Sequence, residues 1–156
     1  MSLKKDKFSR IDISYMNLAL ELARARHGLT GQNPSVGCVI VKKDKIISIG
    51  QTGYYGRPHA EINAIKSSID NLAGSKMYVS LEPCNHYGVT PPCTKEIIKS
   101  KISEVIYSIE DIDNKVKGKS FKIFKSKSIN VKKGLLKKKI SNFYIPYFFN
   151  RKNKMP

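Results

Sequence analysis

The 156-residue chain contains no tryptophan, only three cysteines, and no aspartate or glutamate after Asp113. It also contains no run of 18 apolar residues, which excludes a membrane-spanning helix by sequence. Residues 1–10 are polar and basic and lack the apolar stretch of a secretory signal, so we expect a cytoplasmic protein. In that setting, cysteines near a histidine are more typical of metal ligands or catalytic groups than of a disulfide framework.

The scarcity of acidic residues leaves a strongly basic chain. Lysine and arginine total 29 against 12 acidic residues, which gives a formal net charge of +17. One interpretation is binding to nucleic acid through phosphate charge. The favoured one is a lysine-rich composition spread over solvated faces, because the aromatic interleaving of a base-stacking surface is missing. We therefore do not expect a nucleic-acid partner, although a phosphorylated small molecule would also suit this charge.

The length fits one domain with a sizeable core. Strand and helix patterns alternate along the chain, which predicts an α/β domain with a largely parallel sheet after an initial hairpin. The predicted strands are residues 36–41, 46–50, 77–81, 105–109 and 129–131. The predicted helices are residues 12–27, 60–69, 94–100, 120–127 and 135–139.

The first and last helices carry further expectations. The first is expected to be capped by Asp12 or Ser14. After the last predicted helix comes an aromatic cluster, residues 143–149, which is too apolar for a free tail. Two alternatives stay open: the cluster packs on its own sheet, or it docks against another domain or subunit. We place the domain at residues 1–147 and expect residues 148–156 to begin a linker.

Two short segments carry the chemistry. They are His59-Ala60-Glu61 and the stretch from Pro83-Cys84 to Cys93. Together they offer one imidazole, two thiols and one spare carboxylate, which is the inventory of a catalytic zinc with three protein ligands and an open fourth position. A His-x-Glu segment followed by Pro-Cys-x-x-Cys is the signature of zinc nucleobase deaminases. Here, however, eight residues separate the two cysteines.

Each of these residues falls at the end of a predicted element. His59 and Glu61 lie at the first turn of the predicted helix over 60–69, and Cys84 follows a strand. Cys93 opens a helix, where we expect the pKa of a thiol to be lowered. Glu61 is expected to serve as both base and acid, which requires a pKa near neutrality.

Two other residues, His86 and Cys38, have interpretations in which their role is purely structural. A closed structural zinc site would need a fourth ligand, and His86 is the candidate. Cys38 lies in the apolar stretch 36–41 and is expected to be an ordinary core residue.

Three motifs point to a family. They are Asn33-Pro34-x-Val36-Gly37, His59-Ala60-Glu61 and Leu81-Glu82-Pro83-Cys84-x-His86-x-Gly88-x-Thr90-Pro91-Pro92-Cys93. With these motifs, the chain from about Tyr15 to Gly118 resembles the deaminase domain of bifunctional riboflavin-biosynthesis enzymes, within the cytidine-deaminase-like superfamily. In these diaminohydroxyphosphoribosylaminopyrimidine deaminases eight residues separate the two cysteines. In cytidine, deoxycytidylate, guanine and tRNA-adenosine deaminases the separation is usually two residues.

The resemblance implies a three-layer α/β/α sandwich around a mixed five-stranded sheet. It implies one catalytic zinc on His59, Cys84 and Cys93, with Glu61 as proton shuttle. The implied reaction is hydrolytic deamination of 2,5-diamino-6-(5-phosphoribosylamino)pyrimidin-4-one to the aminouracil, and the alternative is a cytidine, guanine or tRNA-adenosine type of deamination. A homo-oligomer is expected. By the same resemblance the linker leads to a C-terminal reductase domain absent from this sequence, and NADPH would serve only that domain.

The resemblance also implies a set of substrate contacts. Asn33 should contact the pyrimidine. His86, Thr90, Asp111 and Asp113 should line the ribosyl-phosphate side, and the alternative for these loop residues is simple solvation.

Two positions depart from the commoner family pattern. Thr52 stands where a histidine is frequent, and Val89 stands where a lysine or arginine is frequent. Both changes would weaken recognition of the polar end of the substrate. We expect Arg57 to compensate.

Overall fold

A computed structural model describes residues 7–154 of the chain. Residues 1–6 of the polar start, on which the absence of a secretory signal is predicted, and residues 155–156 of the expected linker lie outside the described residues. Within residues 7–154, no helix is both long enough and apolar enough to cross a membrane.

A five-stranded mixed sheet forms the centre of the fold. The strands are β1 (Gly37–Lys42), β2 (Lys45–Gln51), β3 (Lys76–Leu81), β4 (Glu104–Ile109) and β5 (Asn130–Lys133). Their spatial order is β2-β1-β3-β4-β5. β1 pairs antiparallel with β2 and with β3, while β3, β4 and β5 run parallel. The predicted hairpin followed by parallel strands is thus confirmed.

Helices cover both faces of this sheet, which confirms the three-layer sandwich. The described helices are α1 (Arg10–Ala25), α2 (Ala60–Ser67), α3 (Cys93–Lys99), α4 (Lys119–Ser126) and α5 (Lys137–Lys152). α1 and α5 pack on one face, and α2, α3 and α4 form the other layer. The central strands β1, β3 and β4 are buried almost throughout, as their near-continuous apolar sequence predicts.

Two glycines let the helices approach the sheet closely. A Cβ at Gly37 would lie 1.7 Å from the carbonyl oxygen of Ala19 in α1, and one at Gly50 would lie 2.2 Å from that of Ala60 in α2. Any larger side chain would push a helix away from the sheet. Gly50 therefore helps to fix α2, the helix at whose start His59 and Glu61 lie.

The start of α1 differs from the expectation. Its cap is Ser9, whose hydroxyl accepts a hydrogen bond from the Asp12 backbone N–H, while the Asp12 carboxylate accepts from the Ser9 backbone N–H. This reciprocal pair is a capping box. Asp12 thus contributes from inside the first turn rather than from the cap position, and Ser14 is not the cap.

The largest difference lies at the C-terminus. A single 16-residue helix, α5, replaces several expected segments. It takes in residues 137–139 of the expected short helix, the whole aromatic cluster and the first five residues of the expected linker. Pro146 lies inside it, and a proline removes one helical N–H donor, which is why the sequence favoured an earlier end. The boundary placed after residue 147 therefore cuts through a helix and is not a boundary between structural elements.

The aromatic cluster packs on its own domain along one face of α5. Tyr144 is 1% exposed, and its hydroxyl donates to the Ser35 carbonyl oxygen at 2.7 Å and lies 2.8 Å from the Ser80 hydroxyl. The first alternative is therefore confirmed for this face. Ile145 and Phe149 on the other side of the helix are each 59% exposed.

Candidate active site

The two chemistry-bearing segments meet at the starts of α2 and α3. His59 is the N-cap residue of α2, and Glu61 lies in its first turn. Cys84 follows β3 by three residues, and Cys93 is the first residue of α3. The Cys93 backbone N–H donates to the Cys84 sulfur at 3.2 Å, so the long loop between them closes back on itself.

His59, Cys84 and Cys93 form a cluster, which we call the ligand group. Their potential ligand atoms all lie within 4.8 Å of one another. His59 Nδ1 is 3.6 Å from Cys84 Sγ and 3.3 Å from Cys93 Sγ. Two thiols and one imidazole are donors that zinc prefers. Among the described residues this is the one such group, and His86 is not part of it. The donor set therefore fits a metal with three protein ligands rather than a closed four-ligand site.

The two thiols differ in acidity. A hydrogen bond from the Cys93 thiol, helped by His59 and the Cys93 backbone N–H, lowers the pKa of Cys84 to about 4. The same thiol pair and burial raise the pKa of Cys93 well above that of a free cysteine. In this arrangement the pKa of Cys93 is therefore raised rather than lowered, because its thiol donates to Cys84 and is buried. One thiolate is already favoured for a metal that needs deprotonated sulfur.

Glu61 is a buried carboxyl group beside these three residues. Its side chain is 3% exposed, and burial, with the nearby Cys84, raises the pKa of Glu61 to about 7 against the opposing effect of His59. Both protonation states are then accessible near neutral pH, as a group that takes and returns a proton requires.

A cavity of about 310 Å³ opens in front of this group. His59, Glu61 and Cys84 are among the residues that line it. Five of the six expected substrate residues also line it, namely Asn33, Arg57, His86, Asp111 and Asp113.

Thr90 does not line the cavity but holds a residue that does. Its hydroxyl accepts a hydrogen bond from Arg57 Nη1 at 2.7 Å. The guanidinium of Arg57 therefore lies against the loop between the two cysteines, near Gly88 and Thr90, the two neighbours of Val89 in the chain. Thr90 contacts Arg57 directly, and its expected contact with substrate would be through that arginine.

Asn33 and His86 both line the cavity. Asn33 Nδ2 donates to the Gly56 carbonyl oxygen at 3.0 Å, which fixes the orientation of the amide. His86 Nδ1 is buried without a hydrogen-bond partner among the described residues. A buried polar atom of this kind is costly unless a ligand or water satisfies it.

The two departures from the family pattern have different surroundings. Thr52 is 2% exposed, and its hydroxyl accepts from the Val36 backbone N–H at 2.9 Å and donates to the Pro34 carbonyl oxygen at 3.2 Å. Its polar group thus serves the chain itself. Val89 is 84% exposed and offers no charge.

The family model for the zinc-binding region of cytidine and deoxycytidylate deaminases matches residues 9–109. The diaminohydroxyphosphoribosylamino-pyrimidine deaminase of Buchnera aphidicola subsp. Schizaphis graminum is 44% identical over 147 residues, which cover 94% of this chain and 95% of that protein. The chain belongs to the cytidine and deoxycytidylate deaminase family. This deaminase is an enzyme of a zinc-binding family, as its sequence predicts.

Longer relatives contain the deaminase as one part. The riboflavin biosynthesis protein RibD of Bacillus amyloliquefaciens is 46% identical over 123 residues, which cover 79% of the deaminase and 33% of that protein. A solved structure of Acinetobacter baumannii RibD matches with 35% identity and a TM-score of 0.86, covering 90% of the deaminase and 40% of that chain. The deaminase spans nearly all of the Buchnera relative but well under half of these two.

Sequence reasoning missed the residues that α5 contributes to the cavity of the deaminase, Tyr147 and Arg151. A helical spacing of four, three, one and three residues links Ile140, Tyr144, Tyr147, Phe148 and Arg151, and it was available in the sequence. Pro146 concealed this pattern, because it suggested an end to the helix.

Proposed function

We propose that this deaminase hydrolytically removes the 2-amino group of 2,5-diamino-6-(5-phosphoribosylamino)pyrimidin-4-one, giving the aminouracil and ammonia. The observation that carries the proposal is the eight-residue loop between Cys84 and Cys93. It contributes His86, Gly88 and Val89 to the lining of the cavity and holds Arg57 through Thr90. The Buchnera relative, which is 44% identical and is matched over 95% of its length, is named as a deaminase of this substrate class, and this supports the proposal.

The proposed reaction divides the work between a metal and the side chains. His59, Cys84 and Cys93 would hold zinc, which when bound supplies a Lewis acid that brings the pKa of water toward neutrality. Glu61 would take one proton from the attacking water and deliver it to the ring nitrogen. It would then take the second proton of that oxygen to the departing amine, so that water and substrate become a ring carbonyl and ammonia.

Recognition would begin at Asn33. With Nδ2 bound to the Gly56 carbonyl oxygen, its Oδ1 is directed by the fixed amide to accept a hydrogen bond from an amino group of the pyrimidine. His86 would satisfy its buried Nδ1 on the sugar side of the substrate. Asp111 is also buried there, and burial raises the pKa of its carboxyl group.

A substrate panel tests the proposal. Ammonia release is measured with the phosphoribosylated diaminopyrimidine, cytidine, guanine and single-stranded nucleic acid, each offered to the zinc-loaded protein. We expect turnover of the first compound and at least about 100-fold lower kcat/KM on the others, because a site built for particular polar groups rejects ligands that lack them. Turnover of another substrate together with none of the first would overturn the proposal and favour the alternative class of deamination.

The remaining expectations extend this proposal. A C-terminal reductase domain, with NADPH as the cofactor of that domain alone, stays a prediction. A homo-oligomer stays a prediction, which light scattering of the purified protein would test.

Arg57→Ala is expected to raise KM for the phosphorylated substrate by about 10-fold while kcat changes little, because an exposed charge-assisted contact with an anion acts mainly in binding. Initial-rate kinetics over a range of substrate concentrations measures this. Thr90→Val removes the hydroxyl that holds Arg57 and should cause a smaller rise in the same direction.

Arg24→Ala is the matched control for Arg57. Arg24 is an exposed arginine whose ion-pair partner, Glu21, also lies on α1. It should leave KM unchanged. An unchanged KM in Arg57→Ala would contradict the compensation that we propose for this residue.

A further inference from the structure

The last helix contributes a cation to the active-site cavity. Arg151 of α5 lines it together with Tyr147, and the Arg151 side chain is 48% exposed. Arg57 reaches the same cavity from the loop before α2. Two arginines from elements far apart in the sequence therefore border one cavity. Most basic residues of the chain are lysines, so a general excess of surface charge does not account for two arginines at one cavity.

Arg151 is held in place by Asp113. Arg151 Nη2 donates to Asp113 Oδ2 at 2.6 Å, while the other oxygen, Oδ1, accepts from the Lys115 backbone N–H at 2.9 Å. These two contacts lower the pKa of Asp113, with the backbone hydrogen bond as the larger cause. Both oxygens of Asp113 thus already accept a hydrogen bond within the protein, as a residue that holds Arg151 in position would.

Asp113 is itself tied to the inner part of the site. Its backbone N–H donates to Asp111 Oδ1 at 3.0 Å, and the Asp111 backbone N–H donates to Glu82 Oε2 at 3.2 Å. Glu82 lies two residues before Cys84. A continuous set of hydrogen bonds therefore fixes Arg151 relative to the ligand group.

A second cavity of about 640 Å³ is also lined by Arg151. It shares Asn33, Pro34, Tyr147 and Arg151 with the first. Its described lining includes Lys154 but no carboxylate. A negatively charged group that leaves the first cavity past Arg151 would thus enter a region of positive potential.

We propose that Arg151 binds the phosphate of the substrate and that Asp113 is a positioning residue for it rather than a direct substrate contact. This inference rests on the proposed function for the identity of the phosphate-bearing substrate. Arg151 and Arg57 would supply the charge that Thr52 and Val89 lack. Guanidinium groups suit this task, since they bind phosphate through two parallel hydrogen bonds.

Kinetics with a matched pair of substrates tests the inference. The preference of the zinc-loaded protein for the phosphorylated compound over its dephosphorylated riboside is expected to fall about 10- to 100-fold in Arg151→Ala, through KM rather than kcat. Arg151→Gln should give the same direction and guards against a folding defect in the alanine variant. Lys152→Ala, which removes a neighbouring charge from the same helix, should leave the preference unchanged.

The role of Asp113 is tested by a double-mutant cycle. Asp113→Asn should lower the preference in the wild-type background, by less than Arg151→Ala does. It should add nothing in the Arg151→Ala background, because it acts through that arginine. Additive losses would overturn the positioning role. Equal losses on both substrates in Arg151→Ala, or a loss of the same size in Lys152→Ala, would overturn the phosphate contact.

Calorimetry with ribose 5-phosphate separates this inference from the proposed function. Weaker binding by Arg151→Ala than by the wild type supports the phosphate contact even if the diaminopyrimidine is not turned over, which would refute the proposed substrate alone. Turnover by the wild type, with ribose 5-phosphate binding and substrate preference both unaffected by Arg151→Ala, would refute the inference alone. Neither turnover nor binding by the wild type would refute both.

Discussion

Glu61→Gln is expected to lower kcat by about 10²- to 10⁴-fold while the zinc content of the protein stays at the wild-type level. Glutamine has nearly the same shape as glutamate but can neither take nor return a proton at neutral pH. Glu61 is buried beside the ligand group without being one of its three donors. The measurements are ammonia release under saturating substrate and elemental analysis of the same sample.

Glu104→Gln provides the matched control. Glu104 is another buried glutamate, 9% exposed, and pairs with Lys132 away from the cavity. Its replacement should lower stability somewhat and leave kcat near the wild-type value. If Glu61→Gln keeps its activity, the assignment of the proton shuttle is wrong. If it loses zinc as well as activity, Glu61 acts on the metal site instead.

Cys93→Ser is expected to weaken zinc binding by more than about 100-fold, since even the loss of an outer partner of a ligand typically costs 10- to 100-fold. Activity should fall with the metal content. Removing zinc from the wild-type protein with a chelator should also abolish ammonia release, and adding zinc back should restore it. Zinc titration with a competing chelator measures the affinity.

Cys38→Ala controls for the loss of a buried thiol. Cys38 is fully buried in β1 and is not part of the three-residue group. This variant should bind one zinc with wild-type affinity. Full zinc binding by Cys93→Ser, or its loss in Cys38→Ala, would contradict the assigned ligand set.

The sequence predicted the sheet well because its central strands are short, continuous apolar runs between turns. Residues 77–81 and 105–109 each fell within one residue of the observed strands β3 and β4. The meeting of His59, Cys84 and Cys93 was also predictable, since few residue types bind zinc and their spacing is constrained. The sequence placed His59 and Cys93 at the starts of α2 and α3, where the structure has them.

The outer part of the site was less predictable, because it depends on contacts between residues far apart in the chain. Arg151 pairs with Asp113, 38 residues away, and nothing local in the sequence indicates that pairing. The unequal acidity of the two thiols likewise depends on which sulfur receives the hydrogen bonds in the folded chain. Helix α5 was obscured by Pro146, although tertiary packing of Tyr144 outweighs the lost donor.

The division of the cavity between two parts of the chain has a consequence for how such enzymes can diverge. The ligand group and Glu61 lie within residues 59–93, whereas the lining of the cavity also includes Tyr147 and Arg151 of α5. Mutations in α5 can therefore change which molecules are accepted without altering the groups that break the carbon–nitrogen bond. Exchanging this helix between related deaminases offers a route to new specificity on an unchanged reaction centre.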